Sequence, residues 1–453
     1  MKVVLINPPR EKPETADFPP LGLGYVGAVA KSEGHEVEII DAASWSWKQL
    51  REGVYAESPD VVGITCWTIE RGQAFKAAHV AKEAAPRAKM IIGGPHASAF
   101  PQHMFLRTPV DFVVVGEGEE TFRELLSAIC CDLDVSHIRG IAYRNKGEFR
   151  KTPSRAFITD LDTIPFLLHE QFDYKNYRGL HDTTRRAAAV ITSRGCPFRC
   201  VFCSSTFYWG RQYRRRSVQN VVDEIKILYY QHGIRALLFF DDNFVIDRKR
   251  CIAISKALYE LKLDLIWAAE GSARVVDEEM LEWMKRAGCY RIDFGVESGS
   301  PKVLRNINKP FTVEDTRRAF RLCREAGIKP NAYLMIGSPG ETRDTVQQTV
   351  RLMREIQPDV RGVRPGVWIL PNTPLYEMSL RQGVISEEDW LTNDETFVYT
   401  AEHSRRELEL LVRQFERGMA LPAGDIPRFR VLLQRIAKSP LASWVSNSRW
   451  YQA

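Results

Sequence analysis

Short apolar runs alternate with amphipathic stretches along the first third of the chain. Each run is ended by turn residues, which is typical of buried strands, and the runs are Lys2–Ile6, Val37–Ile40, Val61–Thr65, Met90–Ile92 and Phe112–Val115. Apolar residues at helical spacing between them predict the helices Leu21–Lys31, Gln73–Ala84 and Glu120–Ile129. Strands that alternate with helices pair in parallel, so residues 1–150 are predicted to form a doubly wound, Rossmann-like α/β domain.

The pattern changes after this first domain. Residues 151–185 have few periodic stretches and are interpreted as a linker. A second strand–helix series fills residues 186–375, with strands expected at Ala187–Ser193, Ala236–Phe240, Leu263–Ala268, Tyr290–Phe294, Ala332–Ile336 and Gly366–Leu370. Six such units predict a partial (β/α)6 barrel, whose chemistry lies at the carboxyl ends of its strands. Residues 376–453 are predicted to be helical, with amphipathic stretches at Glu407–Met419 and Ile426–Ala437.

Composition narrows the class of protein. The chain has 453 residues, of which 44% are apolar, and a formal net charge of +6, so it is neither disordered nor strongly basic. No segment approaches ~18 continuous apolar residues, and the first apolar run is too short for a signal peptide. We therefore expect a cytoplasmic protein without a membrane span. Its nine cysteines are expected to be thiols, metal ligands or catalytic groups.

The strongest chemical signal is a cysteine-rich loop after the first predicted barrel strand. Cys196, Cys200 and Cys203 have the spacing C-x₃-C-x₂-C, which lets one short loop hold three irons of a [4Fe–4S] cluster. No other cysteine lies near them in sequence, so one iron would remain open to an outside ligand. The alternative is a zinc site, but structural zinc sites usually have paired C-x₂-C units and a fourth nearby ligand.

This loop resembles that of the radical S-adenosylmethionine (SAM) superfamily, and the resemblance extends over residues 186–375. It implies that the three cysteines bind the cluster and that the open iron chelates SAM, which is cleaved to a 5′-deoxyadenosyl radical. Phe202 matches the aromatic residue beside the adenine of SAM.

Motifs after the later strands resemble the other SAM-contacting segments of that superfamily. The resemblance places Asp241 near the SAM amino group, and Glu270 and Arg274 near its methionine end. It places Glu297 and Ser298 near the ribose of SAM, and Gly337 and Ser338 near its adenine.

The first domain resembles the cobalamin-binding-type domain of one branch of the superfamily. The matching segments are Asn7-Pro8-Pro9, Pro20-Leu21-Gly22, Gly93-Gly94-Pro95-His96 and Gly116-Glu117-Gly118-Glu119. No D-x-H-x-x-G occurs, so the histidine that ligates cobalt in cobalamin mutases is absent, and His96 is expected to be an ordinary hydrogen-bonding residue. Whether this domain holds cobalamin stays open.

Two reactions follow from the resemblance. In whole-chain form the protein is similar to superfamily diol-dehydratases of aminoglycoside antibiotic biosynthesis, which implies hydrogen abstraction at C4′ of paromamine, loss of the C3′ hydroxyl and no use of cobalamin. We prefer this lyase reaction. The alternative is a cobalamin-dependent C-methyltransferase that acts on an unactivated carbon in secondary metabolism.

Dehydration requires proton transfer, for which the candidate catalytic residues are Tyr208, Tyr213 and Asp242. Acidic contacts to a polycationic aminoglycoside are expected from Glu117, Glu119, Asp241 and Asp242.

The expected partners are a small-molecule substrate, a reductant protein for the cluster and an NADPH-dependent reductase. The basic stretch 211–216 is interpreted as the start of a helix rather than as a nucleic-acid site. A non-catalytic iron–sulfur or zinc protein is the remaining alternative.

Overall fold

The computed structural model of the chain describes residues 1–419 and divides them into two compact units. One unit combines Met1–Ala188 with Glu388–Glu395, and the other combines Ala189–Glu387 with the described residues that follow Glu395. The strands are, in chain order, β1 Lys2–Asn7, β2 Glu36–Asp41, β3 Val61–Thr65, β4 Lys89–Gly93, β5 Phe112–Val114, β6 Ile141–Asn145, β7 Glu148–Lys151, β8 Ala187–Val190, β9 Ser193–Arg194, β10 Arg214–Arg215, β11 Ala236–Phe239, β12 Ile266–Gly271, β13 Cys289–Glu297, β14 Lys329–Ile336 and β15 Asp359–Pro365.

Helices connect these strands. In chain order they are α1 Leu21–Ser32, α2 Trp47–Glu57, α3 Arg71–Ala84, α4 Pro95–Ala99, α5 Pro101–Arg107, α6 Glu119–Cys130, α7 Ser205–Tyr208, α8 Val218–Tyr230, α9 Arg248–Glu260, α10 Glu278–Arg286, α11 Pro301–Asn306, α12 Val313–Glu325, α13 Arg343–Ile356, α14 Pro374–Arg381, α15 Glu387–Thr392 and α16 Arg405–Met419. Single 3₁₀ turns lie at Thr68–Glu70, Leu161–Thr163, His169–Gln171, Tyr174–Asn176 and Phe244–Ile246.

The first sheet has the order β2-β1-β3-β4-β5-β6-β7. Its first five strands pair in parallel, and their central residues are buried because helices cover both faces of such a sheet. The predicted doubly wound fold is therefore confirmed. Strands β6 and β7 were not predicted and add an antiparallel hairpin at one edge, turned by Lys146 and Gly147, which both have positive φ.

The second sheet has the order β15-β14-β13-β12-β11-β8, which is the sheet of a partial barrel. Neighbouring strands from β11 to β15 pair in parallel, with Glu270 of β12 opposite Asp293 of β13. A small antiparallel pair, β9 and β10, flanks the cysteine loop.

The predicted position of the sixth barrel strand is wrong. That strand is Asp359–Pro365, and the buried apolar run Gly366–Leu370 follows it with only an isolated bridge between Trp368 and Val398. Burial of an irregular segment produced an apolar run that sequence patterning cannot distinguish from a buried strand.

Helices α14 to α16 lie in the predicted C-terminal helical region. Helix α16 covers the predicted stretch Glu407–Met419 up to the last described residue and buries Leu408, Leu411, Val412 and Phe415, whereas the stretch Ile426–Ala437 lies outside the described residues. Over residues 1–419, none of the helices has the length and apolarity needed to cross a bilayer.

The segment Glu388–Glu395, here named the return segment, belongs to the first unit although it follows the barrel in sequence. The buried Arg71 guanidinium donates hydrogen bonds to the carbonyls of Asn393 and Glu395 at 2.5 and 2.6 Å. Arg107 donates to the Leu391 carbonyl and pairs with Asp394. The return segment therefore completes the packing of the first unit.

Candidate active site

The three cysteines lie in a short loop that leaves β9. The loop turns at Gly195, whose φ of +91° and proximity to the Gln212 carbonyl leave no room for a side chain. Burial raises the pKa of Cys196 to about 12 and also raises the pKa of Cys200 and Cys203, and the charge of Cys200 raises the pKa of the other two further. A bound cation would lower these pKa values and favour the thiolate form.

A cluster and a zinc ion make different demands on the three thiols. Within residues 1–419, no three His, Cys, Asp or Glu side chains are placed to hold one metal ion. A single zinc ion would need its thiolates to converge at about 2.3 Å from one point. A [4Fe–4S] cluster instead takes each thiolate on a separate iron, so three cysteines of one short loop can bind it without converging on one point.

Asp241, which follows β11, supports the strand that leads into the cysteine loop. Its Oδ1 accepts hydrogen bonds from the Thr192 backbone and hydroxyl at 3.2 and 2.9 Å and from the Ser193 hydroxyl. Its Oδ2 is buried without a hydrogen-bond partner in the described part of the chain. One oxygen thus fixes the loop, while the other remains available to a bound donor such as an ammonium group.

Asp242 lies beside the cysteines. Burial raises its pKa to about 6, although hydrogen bonds from the Ser205 hydroxyl and the Gly195 backbone lower it. Its charge in turn raises the pKa of Cys196 and Cys203. The carboxylate therefore braces the cysteine loop from the side of β11.

A buried lysine that the sequence did not reveal lies next to the loop. The Lys309 ammonium is 3.0 Å from Oε1 of Glu297, and their side chains are only 9% and 4% exposed. The ammonium also lies over the rings of Phe202 and Phe311, at 5.6 and 5.2 Å from their centroids. Burial lowers the pKa of Lys309, but Glu297 and Cys200 raise it more, so the ammonium stays charged.

Ser298 after β13 and Gly337 after β14 stabilise the loops in which they lie. The Ser298 hydroxyl contacts Thr349 Oγ1 at 3.2 Å and accepts a hydrogen bond from the Ser300 backbone at 3.1 Å. Gly337 has a φ of +101° and packs against Gly366, so a side chain does not fit there. Ser338 is buried, and its hydroxyl has no partner among the described residues.

Glu270 and Arg274, the SAM contacts predicted after the third barrel strand, lie in different environments. Glu270 is a buried residue within β12 rather than after it. Arg274 is exposed and donates to the Pro310 carbonyl at 3.1 Å. Ser272, which the sequence did not single out, is buried with a hydroxyl that has no partner in residues 1–419, while its backbone N–H donates to Asn243.

Unpartnered polar atoms therefore follow four barrel strands: in the described part of the chain they include Asp241 Oδ2 after β11, Ser272 Oγ after β12, Ser300 Oγ after β13 and Ser338 Oγ after β14. Buried polar atoms normally have partners, so these four atoms indicate a polar ligand at the carboxyl edge of the barrel sheet. SAM, with its ammonium, carboxylate, hydroxyl and adenine groups, fits such a set.

Two glycines with positive φ lie at the carboxyl edge of the first sheet. Gly94, with a φ of +100°, brings the β4 loop against the Cys66 backbone, where an added Cβ would lie 3.1 Å from both N and O. Gly116, after β5, has open space where a side chain would be. Ligands of doubly wound sheets bind at this edge, so the glycines there fit a bound cofactor.

Family models match both units. The model of the radical SAM superfamily matches residues 190–353, and that of the B12 binding domain matches residues 15–126. An uncharacterised methyltransferase of Pyrococcus horikoshii is 32% identical over 397 residues, which cover 86% of this chain and 85% of that protein. The chain belongs to the radical SAM superfamily.

Two further relatives resemble this radical SAM enzyme over most of its length. The cytidylyl-2-hydroxyethylphosphonate methyltransferase of Streptomyces wedmorensis is 30% identical, with 85% of this chain and 86% of that protein covered. The solved structure of the radical SAM methyltransferase TsrM from Kitasatospora setae has a TM-score of 0.72 at 24% identity and covers 85% of this chain and 77% of that chain. The likeness to the TsrM structure shows a shared fold.

These relatives support the methyltransferase alternative better than the diol-dehydratase that we preferred from the sequence. The aminoglycoside prediction gains no support from them either. The B12 binding domain also corrects our preference for a reaction that does without cobalamin.

The structure of this radical SAM enzyme also tests the proposed acidic substrate contacts. Glu117 and Glu119 are 7% and 5% exposed, so they are not exposed at loop tips. Glu117 accepts a hydrogen bond from the Ile158 backbone at 2.7 Å, and Asp241 uses one oxygen to hold Thr192 and Ser193. Glu117, Glu119 and Asp241 are therefore buried carboxylates and not the exposed loop-tip contacts that we expected for a polycationic sugar.

The two candidate proton carriers differ in their surroundings. Tyr208 ends α7, is partly exposed and packs edge-on against Phe207. Tyr213 is partly buried, its hydroxyl lies 3.5 Å from an Arg250 nitrogen, and burial raises its pKa. Arg250 also donates to the Thr192 carbonyl, so Tyr213 shares a network that holds the strand before the cysteine loop.

The expectation for His96 is wrong. His96 is fully buried among Phe75, Phe100 and Trp390, and neither ring nitrogen has a hydrogen-bond partner in the described chain. Burial holds its pKa well below the usual range, so the imidazole is neutral. The sequence also lacks D-x-H-x-x-G, whose histidine ligates cobalt in cobalamin mutases.

Proposed function

We propose that this protein is a cobalamin-dependent radical SAM C-methyltransferase that methylates an unactivated carbon of a small molecule in secondary metabolism. The observation that carries the proposal is the B12 binding domain at residues 15–126 before the radical SAM domain. Two relatives, each at least 30% identical and matched over most of their length, are named methyltransferases.

Cys196, Cys200 and Cys203 would hold the [4Fe–4S] cluster. The charges of two neighbouring residues act on this partly exposed loop: Asp242 contributes to the raised pKa of Cys203, and Lys309 opposes the rise in the pKa of Cys200. When the cofactors are bound, the cluster supplies the electron that cleaves SAM, and cobalamin carries the methyl group to be transferred.

Residues at the carboxyl edge of the barrel would bind SAM. Asp241 Oδ2 and Ser272 Oγ are acceptors for its ammonium group, and Phe202 offers an aromatic face to its adenine. The Lys309 ammonium supplies a fixed positive charge beside the cluster loop, where it would attract the SAM carboxylate. Glu297 holds that ammonium in place.

Cobalamin would bind at the carboxyl edge of the first sheet. Gly116 leaves open space there, and Gly94 lets the loop after β4 lie against the backbone of Cys66 after β3. Because His96 is enclosed, its imidazole is not offered to the cobalt, and we propose that cobalamin binds without a histidine ligand.

Anaerobic reconstitution tests the proposal. The purified protein is loaded with iron, sulfide and hydroxocobalamin, separated from free cobalamin and supplied with reductant and SAM that carries a trideuterated methyl group. We expect cobalamin to be retained at one equivalent, 5′-deoxyadenosine to form, and a product that is heavier by one trideuterated methyl group. Cys200→Ala is the matched control, because it retains the first unit but should form no 5′-deoxyadenosine.

The same experiment separates methylation from diol dehydration. Formation of 5′-deoxyadenosine without cobalamin, together with a substrate that loses the mass of water, would replace the methyltransferase proposal by the dehydratase. Retention of zinc and no SAM cleavage would remove both enzymatic proposals.

A further inference from the structure

The strand order of the first sheet indicates where a ligand approaches it. In the order β2-β1-β3-β4-β5, the chain leaves β1 toward β2 and leaves β3 toward β4, in opposite directions. The loops after β1 and β3 therefore diverge, and ligands of doubly wound sheets bind in the crevice that such a switch of direction opens. We name residues 8–10 after β1 and 66–70 after β3 the switch crevice.

A buried guanidinium group lies on the β1 side of the switch crevice. The Arg10 side chain is only 9% exposed, and its Nη1 has no hydrogen-bond partner within residues 1–419. The Arg10 backbone N–H donates to the Ala43 carbonyl at 3.3 Å, which holds this residue beside the loop after β2. Because buried donors normally have partners, Nη1 indicates an acceptor atom that a ligand supplies.

A buried hydroxyl group lies on the β3 side of the switch crevice. Thr68 begins the 3₁₀ turn after β3, and its Oγ1 has no hydrogen-bond partner in the part of the chain that the structure describes. The Thr68 carbonyl, in contrast, accepts a hydrogen bond from Arg71 at 2.7 Å. The two loops that flank the switch of strand order thus each present one buried polar group to a ligand.

The charges around Arg10 decide the chemical class of that ligand. Glu70 Oε1 lies 3.7 Å from Arg10 Nε, too far for a hydrogen bond but close enough for an ion pair. Burial raises the pKa of Glu70, Arg10 lowers it, and the nearby Asp41 raises it further. The Asp41 carboxylate itself is held by Asn7 and Tyr177, each at 2.8 Å. A bound phosphate or carboxylate would therefore face two carboxylates, whereas a neutral carbonyl oxygen can accept from Nη1 without that repulsion.

We propose that the switch crevice binds a neutral carboxamide of cobalamin through Arg10 Nη1 and the Thr68 hydroxyl. The inference rests on the proposed function, because it assumes that cobalamin binds to the first unit. The corrin ring carries carboxamide side chains on its edge, and a carboxamide offers both an acceptor for the guanidinium and a donor for the hydroxyl. The phosphodiester in the nucleotide tail of cobalamin is then not the group that Arg10 binds.

The test measures the affinity of the full-length apoprotein for two corrinoids, by ultrafiltration and visible absorbance. Cobalamin has both the carboxamides and the phosphodiester, whereas cobinamide keeps the carboxamides and lacks the nucleotide tail with its phosphate. We expect Arg10→Gln to weaken the binding of both corrinoids by a similar factor of about tenfold. Arg87→Gln is the matched control, because Arg87 is exposed just before β4, at the opposite edge of the same sheet, and should bind both corrinoids as the parent does.

Two further variants separate a ligand contact from a structural role. Arg10→Gln/Glu70→Gln leaves no unpaired carboxylate, and we expect its affinity for both corrinoids to stay as low as that of Arg10→Gln. Thr68→Val removes a buried hydroxyl that has no partner among the described residues. We therefore expect the Thr68→Val apoprotein to be at least as stable toward urea as the parent, although it binds both corrinoids roughly fivefold more weakly.

Each outcome decides a specific point. A loss of affinity confined to cobalamin would assign Arg10 to the phosphodiester and overturn the carboxamide site, and so would a parent that binds cobalamin but not cobinamide. Affinity that recovers in the double variant, or that falls equally in Arg87→Gln, would overturn it as well. If Arg10→Gln does not fold by circular dichroism, unchanged cobinamide binding by Thr68→Val overturns the site. A parent protein that binds neither corrinoid would overturn the proposed function itself.

Discussion

The ion pair between Lys309 and Glu297 allows a quantitative prediction. The two charges are 3.0 Å apart and almost completely buried. At an effective dielectric constant of ~20, their attraction is about 5 kcal/mol. Replacement of Lys309 by Met removes this attraction and leaves the Glu297 carboxylate buried without its partner. We expect Lys309→Met to lower the free energy of unfolding by about 3–5 kcal/mol.

Removal of both charges should cost much less. In Lys309→Met/Glu297→Gln no unpaired charge is left, and the Met thioether can lie near the Phe202 and Phe311 rings that the ammonium faces in the parent. Replacing both members of a buried pair by neutral groups is often nearly neutral. We therefore expect the double variant to be more stable than Lys309→Met.

The measurement is urea-induced unfolding of the apoprotein, followed by circular dichroism, for the parent, both single variants and the double variant. The double-mutant cycle gives the coupling energy directly, and we expect it to exceed about 2 kcal/mol. A coupling energy near zero, or a Lys309→Met protein as stable as the parent, would refute the argument that Lys309 and Glu297 form a buried pair.

Three further predictions concern the cluster, pH dependence and the return segment. Cys200→Ala should abolish 5′-deoxyadenosine formation and lower the iron content, and SAM cleavage that survives would contradict the cluster assignment. Burial raises the pKa of Glu341 from 4.5 to about 7, so the folded state holds its proton longer than the unfolded state and stability should fall by roughly 3 kcal/mol as pH rises from 4.5 to 7. Urea titrations of Glu341→Gln should show a flatter pH profile over that range, and an unchanged profile would rule out this residue as the cause. Trp390→Ala should lower the urea midpoint through a loss of about 3–5 kcal/mol, whereas Tyr55→Ala, at a residue that is 72% exposed, should change stability little.

The fold class was predictable because local periodicity reports burial. Parallel strands buried on both faces produce apolar runs, and these runs placed β1 to β5 correctly. The hairpin of β6 and β7 was missed because most of β7 is not buried, although Asn145-Lys146-Gly147-Glu148 contains a turn signal. Strand β15 was misplaced because the buried run after it is more apolar than the strand itself.

The site was predictable only where its residues are neighbours in sequence. The cysteine spacing singled out the loop, whereas Lys309 reaches that loop from the end of a different strand–helix unit and carries no local signal. Ser272 was missed because a serine after a strand is common, and only its burial without a partner among the described residues distinguishes it. Asp241 was singled out as a cofactor contact, yet one of its oxygens supports Thr192 and Ser193, a role that depends on packing.

The return segment has a consequence for how this protein can be divided. A fragment that ends at the boundary between the two sheets would lack Trp390 and the carbonyls that accept the Arg71 hydrogen bonds. Domain exchange with a relative must therefore transplant Glu388–Glu395 together with the amino-terminal half, because two distant stretches of polypeptide build one cofactor domain.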